Sequence, residues 1–121
     1  MDRRRRTLAG GIALLIYGLI FLMSSQPASS LPSGIPDIVP HVAEFALLAF
    51  FFVQAFAAPR RWPTLAAAFL LLALLGLLDE WHQLSTPGRF FSWLDVLYDG
   101  LGASLGLAIH WFFHRINRPG R

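Results

Sequence analysis

Residues 64–84 read TLAAAFLLLALLGLLDEWHQL, and this stretch decides the fold. It carries no charge from Thr64 to Leu78 and then sets Asp79 and Glu80 side by side. A helix that crosses a bilayer needs about 20 mostly apolar residues, and this run has that length. The turn before it, Pro59-Arg60-Arg61-Trp62-Pro63, is short enough to force the preceding segment to run antiparallel. That segment, 38–58, is mostly apolar and is interrupted by His41 and Glu44. Beyond the loop 85–91 lies another apolar stretch, 93–113, with Asp95 and Asp99 near its start. Ahead of a Ser/Pro-rich loop, 24–36, an uncharged run covers 8–23. The reading is an all-α integral membrane four-helix bundle, a single domain over 1–121, with helices at about 8–23, 38–58, 64–84 and 93–113 and no internal repeat.

Composition agrees with that reading. The chain has 121 residues, of which 55% are hydrophobic and 14% charged, against about a quarter charged in a soluble domain. It has no Cys, which excludes disulfides and thiolate metal sites. A pI near 10.6 would by itself suggest nucleic acid. The basic residues are all Arg, however, and sit in short clusters beside apolar runs, where they act as topology signals. The partner they imply is the lipid bilayer, not nucleic acid. The first segment has a second reading. Arg3 to Arg6, an apolar run and Ala28-Ser29-Ser30 resemble a secretory signal peptide, although a run of about 16 residues is slightly long for one.

Arginine placement predicts the orientation. Arg3 to Arg6 precede the first helix, Arg60 and Arg61 join the second and third, and Arg115, Arg118 and Arg121 follow the fourth. Arg89 alone falls in the other two loops. Both termini are therefore expected in the cytoplasm. Trp62, Trp81, Trp93 and Trp111 fall near helix ends, as interfacial anchors do. Gly102 and Gly106 form a G-x-x-x-G, which lets another helix approach closely.

The acidic residues go the other way. Except for Asp2, all lie in the outer loops or the outer halves of helices. At 1.5 Å per residue, Glu44, Asp79, Glu80 and Asp99 sit about 6–9 Å below the outer surface. Asp37 and Asp95 are close enough to it to snorkel to water, whereas Glu44 and Asp99 lie too deep for their short side chains. Intramembrane ionisable residues normally face a bundle interior or cavity and mark function. His41 and Glu44 share a helix face, as do Asp79 and Gln83, Glu80 and Gln83, and Asp95 and Asp99. Ser92 with Asp95 forms a capping-box-like helix start, and Pro87-Gly88 a turn. Arg89 is expected to pair with Glu80 or Asp95. The candidate site is thus His41, Glu44, Asp79, Glu80, Gln83, Arg89, Ser92, Asp95 and Asp99, of which His41, Glu44, Glu80, Gln83, Arg89, Asp95 and Asp99 are expected to converge in one outward-opening pocket. His82, His110 and His114 read as boundary residues.

The ordered set Ser24-Ser25-Gln26-Pro27, Pro36-Asp37, His41, Glu44, Asp79-Glu80-Trp81-His82-Gln83, Pro87-Gly88-Arg89, Ser92, Asp95, Asp99, Gly102 and Gly106 resembles the signature of the VanZ-like family. Ile38 stands where that family often has a basic residue, and Asp99 where Asn is also common. The resemblance implies a small multi-pass protein of the bacterial cell membrane, in a family named for a member that raises resistance to the glycopeptide teicoplanin. It implies a site but no defined reaction, and it assigns no cofactor.

Three functions compete. The first is an envelope factor whose outward-facing acidic site meets a lipid headgroup, a peptidoglycan precursor or a glycopeptide. The second is a membrane-embedded enzyme acting on a lipid or glycan headgroup, by acid/base chemistry or with a divalent metal on His41, Glu44, Glu80 and Asp99. The motifs H-E-x-x-H, nucleophile elbow and phosphate loop are absent. The third, an ion-coupled transporter, ranks lowest, because the inner half of the bundle offers no polar path.

Overall fold

A computed structural model describes residues 2–117. Arg118 and Arg121, read above as topology signals, lie outside the described residues. Four helices are present: α1 (Arg3–Ser24), α2 (Ile38–Gln54), α3 (Trp62–Gln83) and α4 (Trp93–Ile116), with a short 3-10 turn at Ala28–Ser30. No strand occurs among the described residues.

Helix ends differ from the hydropathy boundaries for local reasons. The Asp2 carboxylate accepts from the Arg5 amide at 2.8 Å and caps α1. The four arginines thus lie within the helix rather than ahead of it, so α1 starts five residues before the expected position 8. In α3, Pro63 occupies the first turn, where its missing N–H costs nothing. Helix α4 is capped by Ser92, whose Oγ accepts from the Asp95 amide at 3.2 Å, and runs three residues past the expected 113.

Helix α2 is a correction. It stops at Gln54 instead of continuing to 58. Pro59 disfavours helical geometry at Ala58, and the chain tightens into i,i+3 turns, Ala55 to Phe52 and Phe56 to Val53. Three helices, α1, α3 and α4, are long and apolar enough to cross a membrane. The 17 residues of α2 reach only about 26 Å, short of the roughly 30 Å hydrocarbon layer. It tolerates that because it is the central element. It packs against α1, α3 and α4, whereas α1 and α4 do not touch among the described residues.

The core follows from this arrangement. Phe45, Leu48, Ala49 and Val53 of α2 are buried against Ala13 and Ile20 of α1, Leu65, Ala68 and Leu72 of α3, and Ala103 and Leu107 of α4. The α2–α4 seam is the closest. A Cβ on Gly106 would collide with the Ala46 carbonyl oxygen, and one on Gly102 would lie 2.5 Å from the Val42 carbonyl oxygen. The G-x-x-x-G is therefore a helix contact. The periphery is apolar, with Leu14 77% and Leu70 67% exposed, as lipid-facing residues are. Trp62, Trp81 and Trp93 are likewise exposed at helix ends. Trp111 differs, since it packs on the core and carries the Arg115 guanidinium 5.0 Å from its ring.

The bundle has two chemically opposite ends. The α1–α2 and α3–α4 loops and the acidic residues other than Asp2 define the carboxylate end. Arg3 to Arg6, Arg60, Arg61 and Arg115 define the arginine end.

Candidate functional site

His41, on the first turn of α2, organises the carboxylate end. Its Nδ1 lies 2.7 Å from Asp99 Oδ1, and its Nε2 lies 3.6 Å from Asp95 Oδ2. With Asp99 ionised, Nδ1 is the donor. Asp95 and Asp99 can both face one imidazole because they are one turn apart on α4. Asp99 is fully buried and its Oδ2 has no hydrogen-bond partner among the described residues. That oxygen occupies space left by Gly76 on α3, where a Cβ would come within 2.9 Å of it.

A second chain of hydrogen bonds joins α3 to the α3–α4 loop. Glu80 is fully buried. Its Oε2 accepts from the Ser92 backbone amide at 3.1 Å, and its Oε1 accepts from the Gln83 side-chain amide at 3.4 Å. The Gln83 oxygen in turn accepts from Arg89 Nε at 3.4 Å. Ser92 therefore serves twice, its hydroxyl capping α4 and its backbone amide binding Glu80.

The third branch reaches α1. Ser24 Oγ donates to Asp79 Oδ2 at 2.8 Å, both groups being buried. Thr86 Oγ1 donates to the Ser24 carbonyl at 3.3 Å, and the Ala28 amide donates to the Pro87 carbonyl at 3.4 Å. The two loops thus dock on each other. Gly88 permits this with φ +73°, and even so a Cβ there would lie 3.2 Å from Ala28 Cβ.

Of the nine residues singled out in the sequence, His41, Asp95, Asp99, Glu80, Gln83, Arg89 and Ser92 fall into the two linked chains, and Asp79 into the Ser24 branch. Glu44 is half-buried within electrostatic reach of His41, Asp79, Asp99 and Arg89, but forms no side-chain hydrogen bond or ion pair.

Several expectations are corrected. Arg89 forms no ion pair with Glu80 or Asp95, whose ionic partner among the described residues is His41 for Asp95 and none for Glu80. Arg89 meets the Gln83 amide, because the Glu80 oxygens are already engaged by Ser92 and Gln83. Asp95 is turned toward His41 rather than out to water. His82 is not a free boundary residue. Its ring stacks on Phe21 at 3.9 Å and its Nε2 lies 2.8 Å from Ser25 Oγ. The Ser25 proton is donated to the Phe21 carbonyl, so the ring N–H is the donor to Oγ. The metal-ligand set also shifts. His41, Glu80 and Asp95 each offer one ligand atom, all within 4.8 Å of one another, whereas the sequence pointed to His41, Glu44, Glu80 and Asp99.

Two contributors escaped the sequence reading. Gly76 looked like a lone glycine in an apolar run, a pattern that signals close approach. Ser24 drew notice only as part of Ser24-Ser25-Gln26-Pro27.

A family model described as VanZ/LLP1 matches residues 11–114, from α1 to the last turn of α4. No curated protein and no solved structure gives a significant match.

Proposed function

The chain belongs to the VanZ/LLP1 family, and from that premise we propose that it acts at the extracytoplasmic face of a bacterial membrane through the carboxylate end of its bundle. The observation that carries this reading is His41 held between Asp99 and Asp95, beside buried Glu80. Ionisable groups drawn from three helices into a membrane bundle carry an insertion cost of roughly 2.5–3.5 kcal/mol each on translocon scales, which a purely structural role leaves unexplained. Arginine asymmetry supports the orientation, with both termini cytoplasmic and the carboxylate end outside. The chemistry is acceptor-rich and anionic. It suits a partner with hydroxyl or amine donors, such as a lipid headgroup, a peptidoglycan precursor or a glycopeptide. Teicoplanin susceptibility is the phenotype in which that action is to be sought.

The test has two parts. The protein lacks cysteine, so single cysteines at exposed Ser30 and Ser85 should react with a membrane-impermeant maleimide from outside, and one at exposed Ala57 only after lysis. Expression in a susceptible strain should then raise the inhibitory concentration of teicoplanin, and Asp95→Asn should return it to baseline at equal membrane abundance. Undiminished protection by Asp95→Asn would remove the carboxylate end from the function.

One observation favours a second reading, a metal-dependent enzyme acting on a headgroup. With Nδ1 engaged by Asp99, His41 Nε2 remains available alongside Glu80 and Asp95. A carboxylate behind a ligating histidine is a common outer-shell support for a metal. Protein purified without chelator should then carry a divalent ion near stoichiometry, and Glu80→Gln should lose it. Metal-free wild-type protein that still protects cells would eliminate this reading.

A further inference from the structure

The arginine end holds a polar arrangement that the carboxylate end does not explain. His110 is only 1% exposed, yet neither ring nitrogen has a hydrogen-bond partner among the described residues. Arg60 Nε is also buried and unpartnered. Both border a cavity of about 260 Å³ closed by the α2–α3 turn, with Arg61 and His114 on its rim. The two histidines are one turn apart on α4, with ring centroids 4.4 Å apart.

Every polar side chain facing this cavity can donate. Guanidinium groups have no acceptor at all, and each imidazole carries at least one N–H. Among the described residues no carboxylate lines the space. A metal ion would gain two imidazoles but face two guanidinium charges with nothing to neutralise them. An anion gains every group present. The space is several times the roughly 30 Å³ taken by one water. It lies at the level of exposed Trp62, which marks an interface where headgroup phosphates are found. Arginine is suited to phosphate because its forked donors engage two oxygens together.

We propose that this cavity binds a phosphate group, supplied by an anionic phospholipid headgroup or by free phosphate, with Arg60 and His110 as its principal donors and Arg61 and His114 at its rim. The ligand supplies the acceptors that His110 and Arg60 Nε lack among the described residues. It also joins the α2–α3 turn to the end of α4, away from the carboxylate end, so the site stands whether or not the function proposed above is correct.

The test uses full-length protein in dodecyl maltoside, with thermal unfolding as the readout. Titration with phosphatidylglycerol should raise the midpoint saturably above that with phosphatidylcholine if the source is a lipid. Titration with inorganic phosphate against equal ionic strength of chloride should do so if the source is free phosphate. Arg60→Gln and His110→Phe should each raise the half-saturating concentration about tenfold or more, as expected for loss of a hydrogen bond to a charged group. If Arg60→Gln does not fold, His110→Phe decides alone, since it keeps a ring of similar shape. The absence of a saturable shift with either titrant would overturn the proposal, as would a shift that both variants retain. Saturable stabilisation by zinc that is lost in His110→Phe but kept in Arg60→Gln would assign the histidines to a metal and overturn it equally.

Discussion

The two ends of this bundle both bury ionisable side chains but partner them differently. At the carboxylate end each buried ionisable side chain has at least one partner from within, Asp99 in His41, Asp79 in Ser24, Glu80 in the Ser92 amide and Gln83, although Asp79 Oδ1, Asp99 Oδ2 and Arg89 Nη1 have none among the described residues. These bonds engage all four helices and the α3–α4 loop, on which the α1–α2 loop docks through the Ala28 amide and the Pro87 carbonyl. At the arginine end, His110 and Arg60 Nε are equally withdrawn from water and have no partner among the described residues. An unanswered buried polar group costs about 1–3 kcal/mol, more when charged. The first end is therefore organised largely by its own contacts, whereas at the second His110 is buried with neither nitrogen partnered among the described residues, the gap that the proposed phosphate would fill.

The contrast is most exposed to refutation at His41. Its removal leaves Asp99 fully buried without a partner, and breaking a buried pair from one side costs roughly 3–5 kcal/mol. His41→Ala should lower stability by about that amount in reversible unfolding in mixed micelles, whereas Asp99→Asn, which keeps a hydrogen bond and removes the charge, should cost much less. Equal losses in the two variants would mean that the charge is not what His41 answers.

Gly76→Ala comes next. The added Cβ would press on the Asp99 carboxylate at 2.9 Å, and overpacking costs typically about 1–3 kcal/mol. The Asp99 Cβ, 3.0 Å from the added atom, obstructs it as well, so Gly76→Ala should cost markedly less in an Asp99→Gly background, which removes both obstacles, than in the wild type. An equal cost of Gly76→Ala in both backgrounds would trace the damage to the α3 backbone. Ser24→Ala belongs in the same range or slightly below. It leaves Asp79 without the hydroxyl that reaches it from α1 and so unties the end of α1 from α3, while the Thr86 bond to the Ser24 backbone carbonyl is kept. Faster proteolysis within 25–36, with the rest of the bundle intact, is the expected sign.

How much of this was legible in the sequence depended on what kind of signal each feature leaves. Length and hydropathy located the helices, because a bilayer demands a minimum run of apolar residues. They misjudged the end of α2, because Ala55-Phe56-Ala57-Ala58 continues the apolar composition after the helical geometry has stopped. Counting 1.5 Å per residue set the carboxylates at one depth, but depth carries no rotation about the helix axis. It could not show that Asp95 turns inward or that Arg89 meets an amide instead of a carboxylate. One rotational signal was present. Gly102, Gly106 and His110 follow one another at intervals of four, so the stripe that lets α4 approach α2 also carries His110 inward. A histidine flanked by Ile109 and Trp111 near a helix end resembles a boundary residue, and only that stripe marks it as interior.

The smallest expected effect is also the one with the opposite sign. His41 and His110 are both removed from water, and a view that counts buried histidines alone predicts that losing either one harms the fold. The partner inventory predicts otherwise. In detergent without added phosphate or anionic lipid, His110→Phe removes two unanswered nitrogens and substitutes a ring of similar size, with the adjacent cavity available to absorb the difference. Replacing an unpaired buried polar group by an apolar one is neutral to stabilising, so the unfolding free energy should stay level or rise by about 1 kcal/mol. Phe50, whose ring centroid lies 5.8 Å from that of His110, gives the new ring an aromatic neighbour. A loss of about 3 kcal/mol or more, matching His41→Ala, would mean that His110 is satisfied within the folded chain after all, and that the two ends are built on the same principle.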